Sequence, residues 1–106
     1  MSSFDFTEGD TWYGRPVARR ISQAGSRGRV VVTGTVRGAA VIDTGGSRSG
    51  SYVFDDGTGM IDLVFLGRPT VRGLSCGTRC TIEGTARLHQ GKLVIWNPLY
   101  RIEVPS

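Results

Sequence analysis

The run RVVVTGTVRGAAVID, from Arg29 to Asp43, limits the folds open to this chain more than any other stretch. β-branched residues dominate the run and favour an extended strand, while Gly34 and Gly38 interrupt it. Glycine weakens a flat strand, but it permits the bend or bulge through which one long strand can belong to both halves of a closed barrel. We therefore predict a long, bent strand at the start of a β-barrel.

Four shorter β-prone runs follow this strand. The second is predicted at Tyr52 to Phe54, the third at Met60 to Leu66, the fourth in TRCTIEGTARL and the fifth in KLVIW. A long connection, GRPTVRGLSCG, separates the third strand from the fourth, and HQG forms a tight turn before the fifth. This order predicts an all-β fold, a five-stranded Greek-key barrel of the oligonucleotide-binding (OB) type. The final NPLYRIEV segment is predicted to be an extended tail.

Residues 29–106 are predicted to form the barrel, preceded by a separate segment of 28 residues. The first eleven residues carry three acids and no base, and we interpret them as an acidic tail. Farther along, Pro16 suits the first turn of a helix and Gly25 suits its end, with Val17 and Ile21 on one helical face. We therefore predict a short N-terminal helix that covers one side of the core.

Arginine dominates the charge of the chain. Thirteen basic residues stand against nine acids among 106 residues, and every base except Lys92 is an arginine. The guanidinium group binds phosphate through two hydrogen bonds and stacks on bases, which favours a nucleic-acid partner, although arginine content also follows genome composition. No apolar run approaches the roughly 20 residues of a membrane span, and no secretory signal is recognisable. We therefore expect a cytoplasmic protein without a membrane partner.

Two adjacent acids, Asp55 and Asp56, stand between apolar runs in YVFDDGTGMIDLVFLGR. Neighbouring side chains at a strand end point in opposite directions, so Asp-Asp-Gly-Thr-Gly suits a chain turn better than shared catalysis or metal binding. Cys76, Cys80 and His89 are too few for a zinc site and include no paired nucleophile and base. We therefore expect no enzymatic activity, no cofactor and no metal.

Period-two alternation assigns the side chains of each strand to a face. The short second strand is predicted to point Val53 inward and both of its aromatic residues, Tyr52 and Phe54, outward. The other inward residues are Ile61, Leu63, Phe65, Cys80, Ile82, Gly84, Ala86, Leu93 and Ile95. The outward residues are Asp62, Arg79, Thr81, Glu83, Thr85, Arg87, Lys92, Val94 and Trp96.

Outward aromatic residues among arginines are typical of a surface that binds single-stranded nucleic acid, where each base stacked on a ring contributes about 1–3 kcal/mol. For Trp96 the alternative is packing over the barrel or against the N-terminal segment. The DTGGSRSG loop lacks the lysine followed by serine or threonine of a nucleotide-binding P-loop, so it is not predicted to be a nucleotide site. Its Arg48 is instead predicted to contact a phosphate of a nucleic-acid strand. The predicted nucleic-acid-binding residues are Arg37, Arg48, Tyr52, Phe54, Arg68, Arg72, Arg87, Lys92 and Trp96.

YVFDDGTGMIDLVFLGR, followed by GLSCGTRCTIEGTARLHQGKLVIWNPLYRIE, resembles the OB superfamily, above all the wedge domain of the RecG-type branched-DNA helicase and its small free-standing bacterial relatives. The resemblance implies binding of single-stranded or branched DNA by the outer face of the second and third strands and by two loops. The positions that it implies are Tyr52, Phe54, Asp62, Val64, residues 44–50 and residues 89–92. Asp62 departs from the pattern, because a carboxylate repels the phosphate backbone. The helicase motor is absent, so unwinding is not implied.

The sequence thus supports two functional hypotheses. The preferred one is a non-enzymatic module that binds single-stranded or branched DNA, with arginines on phosphate and aromatic rings on bases; RNA stays open because stacking does not distinguish the two. The alternative is a protein-interaction adaptor in a DNA repair, replication or translation complex. An adaptor would account for Asp62, the acidic tail and an exposed Trp96 without nucleic acid.

Overall fold

A computed structural model describes residues 11–12 and 15–104 of the chain, and its regular secondary structure is almost entirely β-strand. The only helical element among these residues is a single 3-10 turn, Ile21–Gln23. The strands are β1 (Thr11–Trp12), β2 (Arg15–Pro16), β3 (Arg27–Thr44), β4 (Ser47–Asp55), β5 (Met60–Phe65), β6 (Arg79–His89), β7 (Lys92–Trp96) and β8 (Leu99–Ile102).

Five of these strands close into a ring. Hydrogen bonds join them in the order β3, β4, β5, β7 and β6, and β6 then pairs with β3 to complete the circle. All of these pairs are antiparallel except β5 with β7, which is parallel. The predicted all-β fold with a closed five-stranded barrel is therefore confirmed. The C-terminal segment, which was predicted to be an extended tail, forms β8. This strand pairs with the edge of β6 that is opposite to β3.

Strand β3 can pair with two neighbouring strands, β4 and β6, because of its glycines. Its first half pairs with β6 as far as Thr35, and its second half pairs with β4 from the same residue onward. A Cβ atom on Gly34 would lie 2.4 Å from the carbonyl oxygen of Asp55, so only glycine lets the two backbones approach this closely. A register shift between Val36 and Gly38 marks a bulge at Arg37.

The orientation predicted for Tyr52 and Phe54 is wrong, because both side chains lie in the core with relative exposures of 3% and 0%. Strand β4 is nine residues long rather than three, and its pairing sets the phase that three residues left undefined. Phe54 is paired with Val36 on one side and Ile61 on the other, and both partners are buried. Val53 correspondingly lies on the outer face, against the prediction, and is half-buried.

Several outer-face residues are nevertheless buried, among them Val31, Val64, Glu83 and Val94. Glu83 is only 2% exposed, and its carboxylate pairs with the guanidinium of Arg29 on the neighbouring strand. Val94 is 4% exposed although its cross-strand neighbours, Asp62 and Arg87, are outer-face residues. Alternation thus gives the face of these residues correctly but not their burial, which depends on what lies above the sheet.

The predicted N-terminal helix is also wrong, since the chain is extended before it forms the 3-10 turn. The backbone of Ala18 pairs with β3 instead, because its amide donates to the carbonyl of Arg29 and its carbonyl accepts from the amide of Val31. Ile21, 3% exposed, still covers one end of the barrel as expected. The acidic tail and the side chain of Trp12 lie outside the described residues, and the division between residues 28 and 29 stays a prediction.

Candidate nucleic-acid interface

The turn between β4 and β5 is built by its two aspartates. Asp55 Oδ1 accepts the amide of Gly57 at 2.7 Å, and Asp56 Oδ1 accepts the amide and hydroxyl of Thr58 at 2.9 and 2.7 Å. Asp56 Oδ2 accepts the amide of Ile21 at 2.9 Å and so ties the turn to the N-terminal segment. The interpretation of the acid pair as a turn is therefore confirmed.

Opposing effects act on the pKa of Asp56. Partial burial raises it, but hydrogen bonds from the Ile21 amide, the Thr58 hydroxyl and the amides of Thr58 and Gly59 outweigh burial and lower it below its usual value. The carboxylate is therefore held ionised by donors that the fold provides. Asp56 thus stabilises the turn and its connection to the N-terminal segment.

The outer face of β4 and β5 presents no aromatic ring among the described residues, because Tyr52 and Phe54 point into the core. A groove of about 530 Å³ lies there instead, between these strands and the β6–β7 hairpin. Val53, Met60 and Leu88 give it an apolar lining, while Asp62 and Lys92 carry opposite charges. This face therefore offers no base-stacking surface.

The exposed aromatic surface lies instead on the outer side of β7 and the β6–β7 hairpin. The rings of Trp96 and His89 meet edge to face with centroids 5.5 Å apart. His89 is paired with Lys92 at the far end of β7, roughly 13 Å along the strand from Trp96. The indole must therefore lie back along the strand, over the position of Val94, which is 4% exposed. We call Trp96 and His89 the aromatic platform.

Basic side chains border the platform. Arg87 is the cross-strand neighbour of Val94, below the indole, and Lys92 is that of His89. Trp96 and Arg87 also line a cavity of about 410 Å³ whose other walls include Arg29 and Thr85. The structure therefore brings together three of the predicted residues, Arg87, Lys92 and Trp96.

The remaining predicted arginines are spread over the barrel. Arg48 lies near the tip of the β3–β4 hairpin, and Arg37 lies 3.7 Å from the carboxylate of Asp55. The guanidinium of Arg68 stands 5.7 Å from the centre of the buried Phe65 ring, at one end of the barrel. Arg72 lies in the connection between β5 and β6, where its carbonyl accepts the Tyr100 hydroxyl. These four do not form one surface with the platform.

Two arginines that the sequence did not single out lie next to Arg87 in the pairing of β3 with β6. Arg27 lies directly opposite Arg87 across the β3–β6 pair, and Arg29 lies opposite Thr85. Like charges directly opposite each other destabilise a sheet, so the adjacent Arg27 and Arg87 have a cost that a bound anion would offset. Arg27 was missed because the strand was predicted to begin at Arg29, two residues after its true start.

Cys80 is buried, and desolvation raises the pKa of its thiol to about 11, while Cys76 is exposed. Across residues 11–12 and 15–104, no group of three His, Cys, Asp or Glu side chains could hold a metal ion. No helix in this part of the chain has the length and apolar character needed to cross a membrane.

Comparison with known proteins supports the fold. No protein-family model matches the chain, and no curated protein matches it. A chain in the solved structure of a Replication Protein A heterotrimer bound to ssDNA is similar, with a TM-score of 0.58 and 19% sequence identity. The match covers 74% of this chain and 59% of that one, so this chain spans less than two thirds of its structural neighbour. The chain therefore has the closed β-barrel of the OB type.

Proposed function

We propose that this protein is a non-enzymatic nucleic-acid-binding module that takes single-stranded or branched DNA on the aromatic platform. The observation that carries the proposal is the exposed indole of Trp96, 36% accessible, next to His89 and bordered by basic residues. The similar Replication Protein A structure, which is bound to ssDNA, supports the same class of ligand.

The chemistry of the platform suits a single strand. A base can stack on an exposed indole whatever its identity, and such a stack contributes about 1–3 kcal/mol. The register places Lys92 beside His89, Arg87 beside Val94 and Arg27 opposite Arg87. In this proposal these cations neutralise the phosphates that flank a stacked base. Paired bases in a duplex do not expose their faces, so single-stranded DNA and the unpaired arms of a fork are the preferred substrates in this proposal, with RNA as a second substrate.

The sequence resemblance to the RecG wedge domain also belongs to this proposal. It suggests a branched substrate and a role in DNA repair inside the cell. However, the contact surface we propose is the β6–β7 side of the barrel, rather than Tyr52 and Phe54, which the resemblance implied.

Fluorescence anisotropy with labelled single-stranded, duplex and forked DNA tests the proposal. We expect binding to single-stranded and forked DNA, weaker binding to duplex, and affinity that falls steeply with salt, because neutralised phosphates release counterions. Absence of binding to all three at micromolar protein and low salt would exclude the proposal. A labelled RNA of the same sequence measures the preference for the sugar.

A second candidate function, a protein-interaction adaptor, is favoured by the groove on β4 and β5. Met60 and Leu88 line it with relative exposures of 64% and 57%, which are large values for apolar side chains. Recovery of a stoichiometric protein partner after nuclease treatment, lost on Met60→Glu but not on Trp96→Ala, would favour the adaptor. The reverse dependence would favour nucleic acid.

A further inference from the structure

A second cavity, of about 390 Å³, lies farther along the same outer face of β6. Thr81 lies six residues from Arg87 on this strand, which corresponds to about 20 Å of extended chain. The side chain of Glu83, which lies between them in the strand, is buried and paired with Arg29. The lining residues of this cavity, which we call the arginine pocket, are Arg19, Arg20, Val31, Thr33, Asp56, Thr58, Thr81 and Arg101.

The arginine pocket has an excess of positive charge. Its guanidinium groups come from Arg19, Arg20 and Arg101, and its one carboxylate is Asp56, so three positive charges face one negative charge. The carboxylate already accepts four hydrogen bonds from its own turn and from the amide of Ile21. These hydrogen bonds partly offset the negative charge of Asp56 independently of the arginines.

Some of the residues that line the pocket carry hydrogen-bond donors that have no acceptor among the described residues. Arg19 Nε is buried and has no hydrogen-bond partner among the described residues. The hydroxyls of Thr33 and Thr81 are 2.7 Å apart and share one hydrogen bond, which leaves one hydroxyl proton to donate elsewhere. A buried donor without a partner is costly, and an oxyanion with several acceptor oxygens would satisfy both kinds of donor at once.

We propose that the arginine pocket binds a phosphate group, supplied by the backbone of the strand whose base stacks on Trp96. The strand would then run along the outer face of β6 rather than across β4 and β5. This inference rests on the proposed function for the source of the phosphate. The chemistry of the pocket, guanidinium and hydroxyl donors around an empty volume, does not depend on that source, and a free phosphorylated molecule would meet the same donors.

The dependence of affinity on the length of the single strand tests the proposed course of the strand along β6. Anisotropy is measured with single strands of about 4 and about 16 nucleotides, the limits of site size for one such barrel. We expect Arg20→Gln and Arg19→Gln each to weaken binding of the long strand about tenfold, as expected for loss of one charged hydrogen bond. The slope of log affinity against log salt should fall by about 0.7. Binding of the short strand, held by the platform, should not change.

The matched control is Arg79→Gln, which removes one positive charge from the same face. Arg79 lies 2.8 Å from Glu103, is not among the residues that line the arginine pocket, and is exposed. We expect this variant to lose much less affinity for the long strand than Arg20→Gln. Equal losses in the two variants, or an unchanged affinity in Arg19→Gln and Arg20→Gln, would overturn the proposal while leaving binding at the platform intact.

Inorganic phosphate separates the two sources. The Arg19 Nε–H signal in a ¹⁵N NMR spectrum should shift on titration with phosphate in the wild-type protein and shift much less in Arg20→Gln. If the protein binds no nucleic acid but this shift occurs, the proposed function fails and the pocket is a site for a free phosphorylated molecule. If neither nucleic acid nor phosphate moves the signal, the pocket is not a phosphate site.

Discussion

The ring of Trp96 meets the ring of His89 edge to face with centroids 5.5 Å apart, although Trp96 ends β7 and His89, on β6, pairs with Lys92 at the other end of β7. This contact directs the indole along the strand over the position of Val94, which is 4% exposed, while Trp96 itself remains 36% exposed. An edge-to-face pair holds its rings in a preferred geometry, so the platform exists before any ligand arrives.

Replacement of Trp96 tests the platform directly. Trp96→Ala should weaken binding of single-stranded DNA by about 1–3 kcal/mol, because one stacked base loses its ring. Trp96→Phe should retain part of the affinity, since a smaller aromatic face remains. Both are measured by fluorescence anisotropy at constant salt, together with the thermal midpoint of unfolding.

Met60→Ala provides the matched control, because Met60 is an exposed apolar residue on β5 that lies outside the platform. Its affinity for DNA should equal that of the wild-type protein. An affinity of Trp96→Ala that also equals the wild-type value would remove the platform from the interface.

Asp56 should make the free energy of unfolding of the barrel depend on pH in the acid range. Its folded pKa lies below its unfolded value near 3.8, so folding favours the ionised form. The resulting stabilisation is complete at neutral pH and is lost as the pH falls through about 4 toward the lower folded pKa. We expect Asp56→Asn to be less stable than wild type at pH 7, with a difference that shrinks in acid.

Urea unfolding at several pH values between 7 and 2.5 measures this difference. Asp43→Asn is the control, because Asp43 is exposed and accepts one amide, from Gly46, in the β3–β4 turn. A difference between Asp56→Asn and wild type that stays constant across the whole pH range would contradict the assignment.

The pair formed by Arg29 and Glu83 should respond unequally to loss of either partner. Glu83 is 2% exposed, whereas the side chain of Arg29 is 22% exposed and reaches water. Arg29→Met leaves a buried carboxylate without this partner and should destabilise the protein by about 3 kcal/mol. Glu83→Gln leaves a partly solvated guanidinium and should cost about 1 kcal/mol or less. Chemical denaturation of both variants compares them, and equal losses would argue against this asymmetry of burial.

Replacement of Gly34 should destabilise the barrel, because β3 passes close to the end of β4 at this position. A Cβ atom there would lie 2.4 Å from the Asp55 carbonyl oxygen and 2.9 Å from the Asp56 Cα, and backbone atoms cannot give way as a side chain can. Gly34→Ala should therefore destabilise the barrel by about 1–3 kcal/mol. At Gly38 the nearest atom to a new Cβ is a Val53 methyl at 3.6 Å, so Gly38→Ala is the matched control and should be tolerated. Similar thermal midpoints for the two variants would contradict this prediction.

Much of the fold was predictable because it depends on local patterns. The β-branched run with its two glycines predicted the long bent strand, and Asp-Asp-Gly-Thr-Gly predicted the turn that Asp55 and Asp56 build. The helix prediction failed because helical spacing of Val17 and Ile21 cannot reveal that β3 offers the backbone of Ala18 two hydrogen bonds.

The candidate site was less predictable, because it depends on which face of each strand is covered. Tyr52 and Phe54 were assigned to the surface from three residues, and the correct phase came only from their partners on β3 and β5. Arg87, Lys92 and Trp96 were assigned to the outer face from a longer alternating run, and they lie together at the platform.

The sequence by itself determined the class of fold, the turns and the supply of arginine, because these follow from residues near one another in the chain. Only the tertiary structure decided which aromatic rings are exposed and which arginines meet. Arg19, Arg20 and Arg101 come from the two ends of the chain and share one cavity only because β8 pairs with β6 and Ala18 pairs with β3. Such contacts depend on closure of the barrel, and no local pattern carries that information.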